Sequence, residues 1–130
     1  MACLVDSSVW IAASRADNKE CLQLKRLIQG GEALYITRLI QVEVCQGAKT
    51  EELFHSLWES FLGFPVLEIT DALCGHSAYH YFRCRKKGLT LTTLDCLIAT
   101  MASHNKVPLW TLDKTLRKAS SLIGFEPFVP

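Results

Sequence analysis

Ala2-Cys3-Leu4-Val5-Asp6-Ser7-Ser8 decides how this chain folds. Four apolar residues are too few for a helix and suit a short strand buried on both faces, and the two serines that follow suit a helix start. Asp6 then stands at the strand's carboxyl end. The same arrangement recurs near the other end of the chain, where Pro108-Leu109-Trp110-Thr111 reads as a strand and Asp113 follows it.

Between these two junctions, strand and helix patterns alternate. Asp17-Asn18 offers a cap for an amphipathic helix carrying Leu22, Leu24, Leu27 and Ile28, and Gly30-Gly31 stops it. Leu34 to Thr37 reads as a strand. A largely buried helix follows from Arg38 to Gly47, with Glu43 in its middle. Leu53, Phe54, Leu57, Trp58, Phe61 and Leu62 recur at threes and fours, the period of another helix. Pro65 to Ile69 is a third strand, and Thr70-Asp71 opens a long helix that Gly88 ends. Thr92 or Thr93 caps a very apolar helix, Leu94 to His104, with Asp95 in its first turn. A short basic helix and a last strand around Phe125 to Val129 complete the chain. Alternation of this kind predicts an α/β fold of three layers, α/β/α, around a mostly parallel five-stranded sheet.

The 130 residues suit one domain spanning 1–130, and 49% hydrophobic with 21% charged residues is a globular balance. No apolar stretch is long enough to span a bilayer and no signal-peptide pattern opens the chain, so the expectation is a soluble, cytoplasmic protein. The six cysteines form no CxxC pair and read as small buried hydrophobes. Net charge is +1, which gives no global field for nucleic acid. The basic residues are instead bunched, in Arg83, Arg85, Lys86 and Lys87 and again in Lys114, Arg117 and Lys118.

Four acids stand where acids are costly. Asp6 and Asp113 follow apolar strands, and ligands of open α/β sheets bind beyond such carboxyl ends. Glu43 and Asp95 sit on mostly apolar helices, where an unpaired carboxylate needs a cation, a cap or a donor. Each acid has a purely structural alternative. Asp95 favours the helix dipole, Glu43 could pair with Arg38, and Asp6 and Asp113 could cap the helices after them. Together, four segments each bring one acid toward one end of the sheet. Such a cluster repels itself without cations, and its hard oxygen donors suit Mg²⁺ or Mn²⁺. Ions of this kind activate water for in-line attack on a phosphodiester.

Leu4-Val5-Asp6-Ser7-Ser8-Val9-Trp10-Ile11, Glu43 in its helix, Leu94-Asp95-Cys96-Leu97-Ile98-Ala99 and Trp110-Thr111-Leu112-Asp113 together resemble a PIN domain. Their order and spacing are similar to the VapC family of toxins from bacterial toxin–antitoxin modules. The resemblance implies a metal-dependent endoribonuclease that cuts single-stranded or loop RNA, forms a homodimer and is held inactive by a cognate antitoxin. It implies that Asp6, Glu43, Asp95 and Asp113 are the metal-binding and catalytic acids, with the hydroxyls of Ser8 and Thr111 supporting them. It also implies an antitoxin helix in an apolar groove, with a basic side chain entering the acidic pocket. Many relatives carry a further acid two positions after the one matching Asp113, where this chain has Thr115.

Arg85, Lys86, Lys87, Lys114 and Arg117 are candidate contacts to RNA phosphates; the alternative is that the first three complement a helix dipole. Trp10, Trp58 and Trp110 read as core or interface anchors, with Trp10 the candidate for stacking on a base. His76, His80 and Cys84 share one helix face, but three ligands on a straight helix converge poorly on zinc. A signalling receiver domain would want paired acids after the first strand, and an Asp-nucleophile phosphatase an acid where Ser8 stands. A relative that binds RNA or a protein without cutting remains the alternative to an enzyme.

Overall fold

The structure, a computed structural model, describes residues 2–15 and 17–130. Its centre is β1 (Ala2–Val5), which pairs in parallel with β2 (Ala33–Tyr35) on one side and β3 (Leu109–Trp110) on the other. Cys3, Leu4 and Val5 are almost completely buried, as both faces of a central parallel strand must be. Their side chains alternate between two cores. Leu4 joins Ile36, Ile40, Ile98 and Leu109 on one face, while Cys3 and Val5 join Val9, Leu24, Leu34 and Trp110 on the other.

Helices α1 (Ser7–Arg15) and α2 (Lys19–Gln29) cover the second face through Val9 and Leu24. Helices α3 (Arg38–Cys45), α5 (Asp71–Lys86), α6 (Thr93–Asn105), α7 (Lys114–Lys118) and α8 (Ser120–Ile123) contribute to the first, and α4 (Glu51–Phe61) packs on α3. The side chains of Asn18, Thr70 and Thr92 cap their helices as expected, and those of Thr37 and Thr50 do the same, each accepting a first-turn backbone N–H. Gly31 and Gly88, at φ +74° and +83°, let the chain leave α2 and α5 in the left-handed region.

The sheet has three strands rather than the expected five. The other two segments lie where expected, flanking the sheet in parallel, but each makes a single bridge: Ile36 with Val66, and Leu109 with Pro127. Four backbone bonds hold them, from Ile36 N–H to Pro65 O (3.0 Å), Leu67 N–H to Ile36 O (2.9 Å), Leu109 N–H to Glu126 O (2.9 Å) and Phe128 N–H to Leu109 O (2.8 Å). Pro65 faces β2 and has no N–H to donate, which keeps that outer segment from extending into a ladder. Helix α3 is also less buried than its composition suggests, since Val42 is 47% exposed. On α4 the predicted apolar face forms, yet Leu53, Phe54 and Trp58 remain open to solvent. Of the six thiols, all free, Cys74 is exposed and Cys21 half-buried, so only four fit the expected core role.

Candidate active site

Parallel pairing sets Val5 opposite Trp110, which brings the next residues, Asp6 and Thr111, side by side at the carboxyl end of the sheet. The chain leaves β1 toward β2 on one side and meets β3 on the other, so this end is a switch point where a crevice opens. Asp6 is only 3% exposed. Its Oδ2 accepts from Ser8 Oγ (2.7 Å) and Thr111 Oγ1 (2.9 Å), while its Oδ1 is buried without a hydrogen-bond partner. The side chain therefore does not cap α1; the Asp6 carbonyl does, accepting from Val9 N–H at 3.0 Å.

Ser8 and Thr111 join the two strand ends. Ser8 Oγ accepts from Leu112 N–H (3.0 Å), and Thr111 Oγ1 accepts from Asp113 N–H (3.1 Å). Asp113 caps α7 as its structural reading required: Oδ1 accepts from the N–H groups of Thr115 (2.9 Å) and Leu116 (3.1 Å). Thr115 supplies no acid and serves that cap with its backbone.

Glu43, half-buried on α3, accepts from Ser7 Oγ at 3.1 Å. Arg38 is not its partner, because that guanidinium donates to Gln41 Oε1 (2.6 Å). Burial pushes the Glu43 carboxyl above its ordinary value; the Ser7 bond opposes this, and the charges of Asp6 and Asp95 reinforce it. Burial likewise pushes Asp95 up, opposed by hydrogen bonding from Thr92 and reinforced by Asp6 and Asp113. All four predicted acids thus share one electrostatic environment, and each of the two on helices feels two of the others.

Among the described residues, no three Asp, Glu, His or Cys side chains close into a ready-made metal cage. The four acids nevertheless act on one another through space, Glu43 with Asp6 and Asp95, and Asp95 with Asp6 and Asp113. The donor set still fits a hard cation. Asp6 Oδ1 lacks a partner, two neighbouring carboxyls are strained toward protonation, and Mg²⁺ keeps much of its water and binds through one or two carboxylates.

Helix α5 runs back along α6, pairing Tyr81 with Thr93 at one end of a groove and His76 with His104 near the other. Its last turn, with exposed Arg85, Lys86 and Lys87, consequently lies toward the end of α6 that carries Asp95. Lys86 leans over the Phe82 ring, and Arg83 donates to Leu122 O and sits over Tyr79. Arg117 is committed differently: its Nε donates to Thr111 O at 2.9 Å. Trp10 is half-buried and anchors α1, lying 5.2 Å from both Phe61 and Phe64 and donating to Val5 O. His76, His80 and Cys84 form no metal-holding group among the described residues. Ser7 and Arg117 gained roles at the site that spacing did not indicate; for Ser7 the available signal was a hydroxyl directly beside a buried acid.

Two adjoining clefts line the outside of α1. One, of about 440 Å³, runs past Ile11, Arg15, Glu43, Lys49, Leu53 and Leu57; the other, of about 210 Å³, lies between Trp10, Leu24, Ile28, Leu57 and Phe64. No helix among the described residues is long and apolar enough to cross a membrane.

The sequence profile of the PIN domain matches residues 3–122. The chain is 29% identical over 103 residues to VapC ribonuclease Mb1587 of Mycobacterium bovis and to ribonuclease VapC11 of Mycobacterium tuberculosis, an alignment covering 76% of this chain and 77% of each relative. Among solved structures it shares its fold with VapBC2 from Rickettsia felis bound to a promoter DNA fragment (TM-score 0.78, 17% identity, 98% of both chains). It shares it also with VapBC-1 from nontypeable Haemophilus influenzae (TM-score 0.79, 16% identity, 98% of this chain and 97% of that one).

Proposed function

We propose that this chain, which belongs to the PIN domain family, is a metal-dependent endoribonuclease and the toxin of a toxin–antitoxin pair. The observation that carries the reading is Asp6: a buried carboxylate with one oxygen pinned by two hydroxyls and the other bare, in the field of further acids. The names of its ribonuclease relatives support the same chemistry. Asp6, Glu43, Asp95 and Asp113 would hold Mg²⁺ or Mn²⁺. When bound, such an ion supplies an activated water and neutralises charge on the leaving oxygen of the phosphodiester.

The protein's own groups do the positioning. Ser8 and Thr111 fix the Asp6 carboxylate through Oδ2 and leave Oδ1 without a hydrogen-bond partner, and Ser7 orients Glu43. The exposed Arg85, Lys86 and Lys87 at the end of α5, with Lys114 at the start of α7, supply cations for RNA phosphates. The partly solvent-exposed apolar surface of α4 and the two clefts beside it suit an antitoxin helix, with a basic side chain reaching Glu43. The chain acts in the cytoplasm as one domain, and as a homodimer.

The test is purified protein with total cellular RNA and Mg²⁺ or Mn²⁺, beside Asp6→Asn and Asp95→Asn, with the new RNA ends mapped. Discrete cleavage abolished by EDTA and by both substitutions is expected. Cleavage that survives them, or RNA binding indifferent to metal with no cutting, would make the chain a binding module instead.

A further inference from the structure

The last backbone bond between β1 and β3 runs from Asp6 N–H to Trp110 O at 2.9 Å. Beyond it the chain that carries Thr111 and Asp113 has no strand to hold it, and yet two acids depend on its position. The peptide group between Thr111 and Leu112 is instead gripped at both ends by side chains: its N–H donates to Ser8 Oγ (3.0 Å), and its carbonyl accepts from Arg117 Nε (2.9 Å). Arg117 also donates its backbone N–H to Asp113 O at 3.1 Å, closing a loop around Asp113. Arg117 is exposed and borders a pocket with Trp110 and Leu112, and its Nε is turned to the Thr111 carbonyl.

We infer that Arg117 is a positioning residue for the acidic site, clamping the Thr111–Leu112 peptide so that Thr111 holds Asp6 and Asp113 in place, and that it is not a contact to RNA. The inference rests on the ribonuclease reading only for its consequence in catalysis. A fixed guanidinium fork suits this task, since Nε is a single directed donor on a planar group, whereas a lysine ammonium is a mobile, strongly hydrated point charge. Removing a group that orients a metal-binding side chain costs metal affinity while leaving the ligands themselves intact.

The experiment compares wild type with Arg117→Met and Arg117→Lys by three measurements: Mn²⁺ affinity by calorimetry, binding of a single-stranded oligoribonucleotide in EDTA as a function of salt, and amide exchange at Leu112 and Asp113. Both variants are expected to lose about tenfold in Mn²⁺ affinity and to exchange these two amides faster, with RNA affinity in EDTA unchanged. Arg117→Lys keeps the charge, so its failure to rescue separates geometry from electrostatics, and its milder change guards against a misfolded Met variant. Unchanged exchange with unchanged Mn²⁺ affinity would overturn the clamp. So would a salt slope that falls by about one in Arg117→Met, the mark of a lost phosphate contact. Amide exchange needs neither metal nor RNA: faster exchange in a protein that binds no Mn²⁺ and cuts no RNA would uphold the clamp and overturn the ribonuclease reading.

Discussion

Thr111 Oγ1 donates to Asp6 Oδ2 at 2.9 Å across the ends of two parallel strands, linking residues 105 positions apart in the chain. The same oxygen accepts from Asp113 N–H, so one hydroxyl serves an acid on each side. Thr111→Val keeps the shape and removes both bonds. It should lower stability by about 1–3 kcal/mol, because Asp113 N–H loses its acceptor, and weaken Mn²⁺ binding by about tenfold. Thermal melting and calorimetry measure the two, and a neutral result in both would remove Thr111 from the site.

Glu43 and Asp95 bind protons more tightly in the fold than at their ordinary values of 4.5 and 3.8. The folded state therefore holds more protons than the unfolded chain in the interval above those values, and these groups make stability fall as pH rises through it. Denaturant titrations of metal-free protein should show wild type losing stability relative to Glu43→Gln as pH rises. A difference that grows in favour of wild type would contradict the direction of the shift.

The Ser7 hydroxyl opposes the rise in Glu43's proton affinity. Ser7→Ala should raise that affinity further and move the onset of Mn²⁺ binding to higher pH, with little effect once Glu43 is ionised. Mn²⁺ titrations at several pH values read the displacement; an onset at the wild-type pH would sink the coupling.

Trp10 packs against Phe61 and Phe64 and donates to Val5 O. Trp10→Ala should cost about 3 kcal/mol by leaving a cavity beside Phe61 and Phe64, as measured by denaturant unfolding. A loss of RNA binding without a loss of stability would make Trp10 a base-stacking platform instead.

Phe54 and Trp58 stack at 6.3 Å on the open side of α4. If an antitoxin helix lies there, Trp58→Ala should weaken the complex by about 2 kcal/mol or more, the size of an aromatic anchor. Equal affinity in a titration of this chain with such a partner would place the partner elsewhere.

Much of this was written locally. The strand–acid junctions at Asp6 and Asp113, the Asn18 and threonine caps and the helix periods follow from nearest-neighbour chemistry, which a one-dimensional pattern carries directly. The four acids were legible for the same reason, each being an expensive residue in an apolar setting. Local pattern misjudged the outer strands, which make only single bridges, and the burial of α3, where Val42 is 47% exposed, because periodicity shows that a face is apolar but not what covers it. Tertiary structure alone decided which hydroxyl serves which acid, that Arg38 turns to Gln41, that Trp10 belongs to the core, and that Arg117 grips the Thr111 carbonyl. A hydrogen bond depends on the direction and distance of two side chains, and the parallel register of β1 with β3 sets both across a separation that no window of sequence spans.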